Sequence, residues 1–172
     1  MFRKIVIVLL TVLSLVSVRS FVAAQSSDAN TLKANKALIQ TVVKDVFNGH
    51  NLDLIDKYYS ADFVEHNPIA PPNLPAGPAG FKMLAGGIIA AFPDVTVTVE
   101  DILAEGDKAV SRHSVKATNK AAFNGIPATN KPVTWSEIHI WRIKDGQIAE
   151  HWAELNALGL IQQLTTPATK TP

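Results

Sequence analysis

The sequence predicts an α+β domain, with helices packed on one face of a curved, mostly antiparallel sheet. Three observations predict it. Stretches in the first half of the chain repeat apolar residues at three- and four-residue spacing, as amphipathic helices do. The second half is a succession of runs in which apolar and polar residues alternate, as half-buried strands do. Two of those runs flank Asp145-Gly146, a dipeptide that tolerates positive φ at both positions and is a strong hairpin signal.

The elements follow in order. Met1-Phe-Arg-Lys4 is a short positive start, and Ile5 to Val18 is an apolar run that falls short of the roughly 20 residues of a membrane span. Val22-Ala23-Ala24 supplies small residues where a signal peptidase reads. Residues 1–24 are therefore expected to be a signal peptide cleaved after Ala24, giving a secreted or periplasmic protein with no membrane attachment. Residues 25–30 read as a polar linker. Thr31 to Phe47 reads as a helix whose stripe is Leu32, Leu38, Ile39, Val42, Val43 and Val46, closed by Gly49 as a left-handed cap. A second short helix spans Leu52 to Tyr59, and residues 62–67 form a short strand stopped by Pro68.

Residues 68–78 are too proline-rich for regular structure and make a candidate flap. Gly77 to Phe92 is a third helix, in which Gly86-Gly87 costs helix propensity and points to close packing. Val95 to Leu103 is a strand with a bulge expected near Asp101. Glu105-Gly106-Asp107 turns it into a strand over Lys108 to Thr118, with Arg112 and His113 on opposite faces. A loop over 119–132 leads into the hairpin. Leu158 to Leu164 closes the domain, and residues 165–172 read as a disordered tail.

Composition limits the function. At 172 residues the chain is long enough for one domain with its own core. It has no cysteine, hence no disulfide, thiol nucleophile, thiolate metal site or lipidated anchor. The formal charge is +1, and removal of residues 1–24 leaves 13 basic and 15 acidic residues. With no basic stripe, no nucleic-acid partner is expected. Export argues against cytosolic cofactors such as NAD or ATP.

The hairpin carries the chemistry. Val133, Trp135, Glu137, His139, Trp141 and Ile143 share one face of its first strand. On the second strand, Ile148, Glu150, Trp152 and Glu154 share one face, and Ala149, His151, Ala153 and Leu155 the other. Large aromatics beside His and Glu suit the wall of a ligand cavity. Pairing about Asp145-Gly146 brings His139 close to position 151 or 152. Two neighbouring imidazoles at low dielectric split their titrations and leave one neutral as a base. Glu137 can orient an imidazole or act as acid/base itself. Arg112 can hold a carboxylate or enolate oxygen. Two plainer readings stand beside these: His66 next to Pro68 ties down the flap, and Trp135, Trp141 and Trp152 serve packing first. No His/Glu pair has helical i, i+4 spacing or a compact motif, so no metal site is expected.

Several motifs resemble, in the same order, those of SnoaL-like polyketide cyclases, the ester cyclases of the nuclear-transport-factor-2-like superfamily. They are Asp62-Phe-Val-Glu-His66, Ala91-Phe-Pro-Asp94, Glu105-Gly-Asp107, Phe123-Asn-Gly-Ile-Pro127, Arg142 through Trp152, and Leu160-Ile-Gln-Gln-Leu164. The resemblance covers residues 31–164. It implies a cone-shaped barrel wrapped around three N-terminal helices, a deep pocket and homodimers formed through the sheets. It also implies intramolecular aldol closure of a polyketide ester by a carboxylate and histidines, without metal or cofactor. The family's histidines match His139 and His151, and its acid/base aspartate falls at Ala153. Asn156 stands where many relatives carry Asp, and Ala117-Thr-Asn119 where they often carry Gly-Thr-His.

Two functions follow. One is cofactor-independent catalysis of cyclase, isomerase or hydrolase type on a small apolar carbonyl or ester compound, with His139, His151 and Glu137 catalytic. The other is passive binding of such a ligand. In both, His66, Arg112, Trp135, Trp141, Ala153 and Asn156 are the expected ligand contacts.

Overall fold

A computed structural model describes residues 28–67 and 73–167. The expected signal peptide, residues 25–27 of the linker, residues 68–72 of the flap and residues 168–172 of the tail lie outside the described residues.

Helix α1 runs over 28–42 and widens into a π-helical turn, Val43–Asn48. Residues 28–30 thus belong to the helix, not to the linker. Gly49 is not a left-handed cap: its φ is −83°, and the left-handed residue is His50 at 51°. Glycine serves space there, because a Cβ would meet the Asp45 carbonyl oxygen at 2.4 Å. Helix α2 is a 3-10 turn, Leu52–Leu54, continued by Ile55–Tyr58. The chain passes directly into strand β1, Tyr59–Glu65. Helix α3, Pro78–Ala91, starts after Gly77, whose φ of 71° leaves Pro78 at the first turn, where a missing N–H costs nothing. A Cβ on Gly86 would meet Leu52 of α2 at 3.4 Å, an ordinary contact, and one on Gly87 would meet nothing within 4 Å among the described residues, so neither glycine is demanded by close packing.

Strands β2 (Thr96–Glu105), β3 (Lys108–Thr118), β4 (Pro132–Lys144) and β5 (Gln147–Leu155) form the rest of the sheet. The order is β1-β5-β4-β3-β2, antiparallel except for the parallel pair β1–β5. Helix α4, Ala157–Thr165, includes the first residue of the expected tail. The turn at Asp145-Gly146 has φ of 52° and 77°, the conformation for which Asp-Gly was read.

Two bulges set the faces of the sheet. In β2, Val99 pairs with His113 and Asp101 with Arg112, leaving Glu100 extra. In β5, Ile148 pairs with Ile143 and Glu150 with Arg142, leaving Ala149 extra. Were Ala149 paired with Arg142 rather than bulged out, His139 would sit opposite Trp152 and His151 would face outward. With the bulge, Trp141 pairs with His151 and His139 with Ala153, so both histidines face the helices. The strict alternation expected for β5 therefore fails at one point. Ile148 and Ala149 are both buried, and Ile148 does not share a face with Glu150.

The core has two buried clusters. One gathers Ile39, Val42, Val46, Tyr59, Phe81, Trp141 and Ile148, and the other Phe92, Val95, Val115, Val133, Trp135, Leu160 and Leu164. The side chains of the described residues leave open the space bordered by both.

Candidate active site

A cavity of about 550 Å³ opens there, within the range of small-molecule sites. Its walls are mostly apolar: Phe81, Ile88, Phe92, Val115 and Phe123 are among them. The polar wall comes from the inner faces of β3, β4 and β5, with His113, Glu137, His139 and His151.

These groups form a hydrogen-bonded chain. His139 Nδ1 lies 2.8 Å from His151 Nε2, and His139 Nε2 lies 2.9 Å from Glu137 Oε2. His151 Nδ1 lies 2.8 Å from Glu65 Oε2. Both ends are saturated by N–H donors. Trp135 Nε1 donates to Glu137 Oε1 at 2.6 Å, and the Asn67 backbone N–H donates to Glu65 Oε1 at 2.9 Å. The His139 and His151 rings stack on the indole of Trp141, which donates to the buried Ser111 hydroxyl at 2.8 Å.

Proton counting gives this chain its chemistry. Each of the three contacts Glu137–His139, His139–His151 and His151–Glu65 needs one hydrogen between its heavy atoms. Two neutral imidazoles supply only two. With both carboxyls ionised, a third proton must be held, and the four groups then share a net charge of −1. A proton held this way, beside an apolar cavity, is available to move to or from a bound molecule.

The environment sorts the groups. Burial, with the neighbouring His139, pushes the His113 imidazole down to about 4, so it is neutral at pH 7. Burial also lowers His151, against the opposing pull of Glu65. Burial alone would raise the Glu137 carboxyl, but the hydrogen bond and charge of His139 and the bond from Trp135 outweigh it and hold Glu137 low. His113, Glu137 and His139 also bring ligand atoms within 4.8 Å of one another.

Of the residues picked from sequence, Glu137, His139, His151, Trp135, Trp141 and Ala153 line the cavity. His66, Arg112 and Asn156 do not, which corrects their assignment as ligand contacts. His66 stacks on Trp152 at 4.4 Å and pairs with Glu150 at 2.8 Å on the far side of the sheet. Glu65 is held on the inside by the backbone, where it pairs with His151 and the His66 N–H donates to the His151 carbonyl at 2.8 Å. Arg112 is spent on Asp101 at 2.6 Å. Asn156 caps α4 by accepting from the Gly159 N–H.

Two site residues escaped the sequence reading, Glu65 and His113. Each neighbours a residue that was chosen and points the opposite way. In β3 a signal existed: His113 shares parity with the small and apolar set Ala109, Ser111, Val115 and Ala117, whereas Arg112 goes with Lys108, Ser114 and Lys116. Asn119 is fully buried and organises the following loop. It accepts from the Thr129 N–H at 2.8 Å and donates to the Ala121 carbonyl at 2.7 Å.

The family model for SnoaL-like polyketide cyclases matches residues 37–164. The chain belongs to the SnoaL-like polyketide cyclase family. Nogalonic acid methyl ester cyclase of Streptomyces nogalater is 27% identical over 125 residues, covering 70% of this chain and 90% of that protein. Among solved structures, AclR from Streptomyces galilaeus is similar at 31% identity and a TM-score of 0.68, covering 79% of this chain and 99% of that one. TsrD from Streptomyces laurentii follows at 26% identity and 0.68, with 76% and 96% covered. The described fold is the SnoaL-like α+β cone of these neighbours. Within this SnoaL-like frame, the position at which the resemblance puts the family's aspartate is Ala153, directly opposite His139.

Proposed function

We propose that this SnoaL-like protein catalyses a cofactor-independent acid–base reaction of ring-closing type on a small apolar carbonyl or ester compound. The observation that carries the reading is the chain Glu137–His139–His151–Glu65 set in the wall of an apolar cavity. The Glu137–His139 end takes a proton from the carbon beside a carbonyl. The resulting enolate carbon attacks a second carbonyl of the same molecule. The oxygen left by that attack receives a proton from the same chain, so the reaction consumes no base overall. Low dielectric strengthens each of these steps. Glu137 and Glu65 supply the carboxylates that Ala153 cannot.

A second reading, passive binding of an apolar ligand, is favoured by Ala153 itself, since a methyl group moves no proton. A panel of β-keto esters and lactones, assayed with the parent, His151→Ala and Ala153→Asp, separates the two. Activity in the parent that His151→Ala abolishes supports the enzyme. Activity that appears only in Ala153→Asp means that the parent is a binder or uses another reaction.

The assembly and location belong to the same reading. The outer face of the sheet exposes Val110, Ile138, Ile140 and Leu103, an apolar surface suited to a homodimer. Light scattering during gel filtration tests this, and a monomer mass refutes it. Export with cleavage after Ala24 rests on residues 1–24. N-terminal sequencing of the protein from the culture medium or periplasm checks it, and a start at Met1 rules it out.

A further inference from the structure

We propose that His113, Glu137 and His139 form a binding site for one divalent transition-metal ion of the Zn²⁺ or Co²⁺ kind. The reading goes beyond acid–base catalysis and does not depend on it.

Three features converge. The first is the donor set. Two imidazoles and one carboxylate present ligand atoms mutually within 4.8 Å, from β3 and from alternate residues of β4. An ion with ligands at about 2.0–2.2 Å brings neighbouring ligand atoms to about 3–3.5 Å, so the side chains need only contract slightly around it. Mixed nitrogen and oxygen donors suit zinc-like ions better than magnesium or calcium.

The second feature is an unexplained atom. His113 is 2% exposed, and its Nε2 has no hydrogen-bond partner among the described residues. A buried polar atom in a native interior without a partner calls for an ion or a water. Tyr59 Oη and Ser60 Oγ share this condition, but neither residue lines the cavity.

The third is the orientation of His139. Its Nδ1 faces His151 Nε2, and His151 Nδ1 faces Glu65. If each imidazole keeps one hydrogen, His151 donates to Glu65 and His139 donates to His151. His139 Nε2 is then a bare lone pair, 2.9 Å from a Glu137 oxygen that is also a lone pair. Something positive must lie between them. A proton suffices, and a metal ion meets the same need with His113 as a third ligand. Holding a ligating histidine through its other nitrogen, and ultimately by a carboxylate, is how metal-binding histidines are commonly fixed. The remaining coordination positions face the cavity, where a ligand oxygen can occupy them.

The test uses the mature chain stripped with a chelator and dialysed. Zn²⁺ is titrated by calorimetry, and Co²⁺ is followed by its visible absorption. The expected result is one ion per chain with d–d bands of a low-symmetry site. Affinity should fall at least tenfold in His113→Ala and in Glu137→Gln, and stay unchanged in His66→Ala, a histidine on the opposite side of the sheet. Near-UV circular dichroism verifies each fold, and if His113→Ala is misfolded, Glu137→Gln decides the matter. Absence of a one-to-one phase overturns the proposal, as does binding that survives Glu137→Gln but is lost in His66→Ala. Ion binding is read directly, so the outcome is independent of any assay of ring closure.

Discussion

His139 Nδ1 and His151 Nε2 are 2.8 Å apart, although the two residues are not opposite each other in the sheet. His139 pairs with Ala153 and His151 with Trp141, so the contact runs diagonally across β4 and β5. Diagonal neighbours on one face lie within reach of long and aromatic side chains. The small Ala153 leaves the His139 ring free to lean toward His151.

Glu65 is the least obvious member of the chain and the easiest to test. His151 is 96% buried at its side chain and depends on Glu65 for its Nδ1 contact. Glu65→Ala leaves that buried group without a partner, which should cost about 1–3 kcal/mol. Chemical denaturation should show that loss, and turnover of any substrate found should fall in Glu65→Ala with His66→Ala near parental. Equal effects from the two substitutions would count against the role given to Glu65.

Trp141 is fully buried, and its indole N–H is satisfied by Ser111. Ser111→Ala should therefore destabilise by about 1–3 kcal/mol, lowering Tm by about 2–12 °C in a chain of this size. An unchanged Tm would mean that water takes over the bond.

Gly87 lines the cavity, and a Cβ there would meet nothing within 4 Å among the described residues. Gly87→Leu should fill part of the cavity without straining α3. Helix propensity should raise stability by roughly 0.5–1 kcal/mol, while binding of an apolar fluorescent dye such as N-phenylnaphthylamine drops. Retained dye affinity in this more stable variant would place the ligand site elsewhere.

Asp94 links the end of α3 to the end of β3. The Thr118 hydroxyl donates to it at 2.6 Å, as does the Thr118 backbone N–H, and these bonds hold its carboxyl below the ordinary range. A lowered folded pKa gives stability that is present above the unfolded value, roughly 4, and lost as pH falls through the folded one. The Tm deficit of Asp94→Asn should be full at pH 6–7 and shrink towards pH 2–3. A deficit that does not change with pH would show that the Asp94 charge contributes nothing.

Much of the fold was legible because periodicity reports it directly. The stripes of α1 and α3, the alternation in β2 to β4 and the Asp145-Gly146 turn are local patterns, and the face of β4 carrying Trp135, Glu137, His139 and Trp141 lies as read. The misreadings share one physical cause. Choosing between Glu65 and His66, or between Arg112 and His113, is a question of strand phase, and phase depends on partners distant in sequence. The extra residue in β5 is invisible to a count from the turn. Gly49 looked like a left-handed cap because glycine most often serves that purpose, whereas here the close Asp45 carbonyl demands it.

Ala149 gives β5 something like a reading frame. If Ala149 were paired with Arg142 instead of bulging out, the His151 imidazole would turn to the outside and Trp152 would be driven into the cavity, with no residue of the chain changed. The same sequence would then carry one of its two central imidazoles on the solvent side and a plugged interior. In this hairpin, therefore, register has as much say over chemistry as composition does.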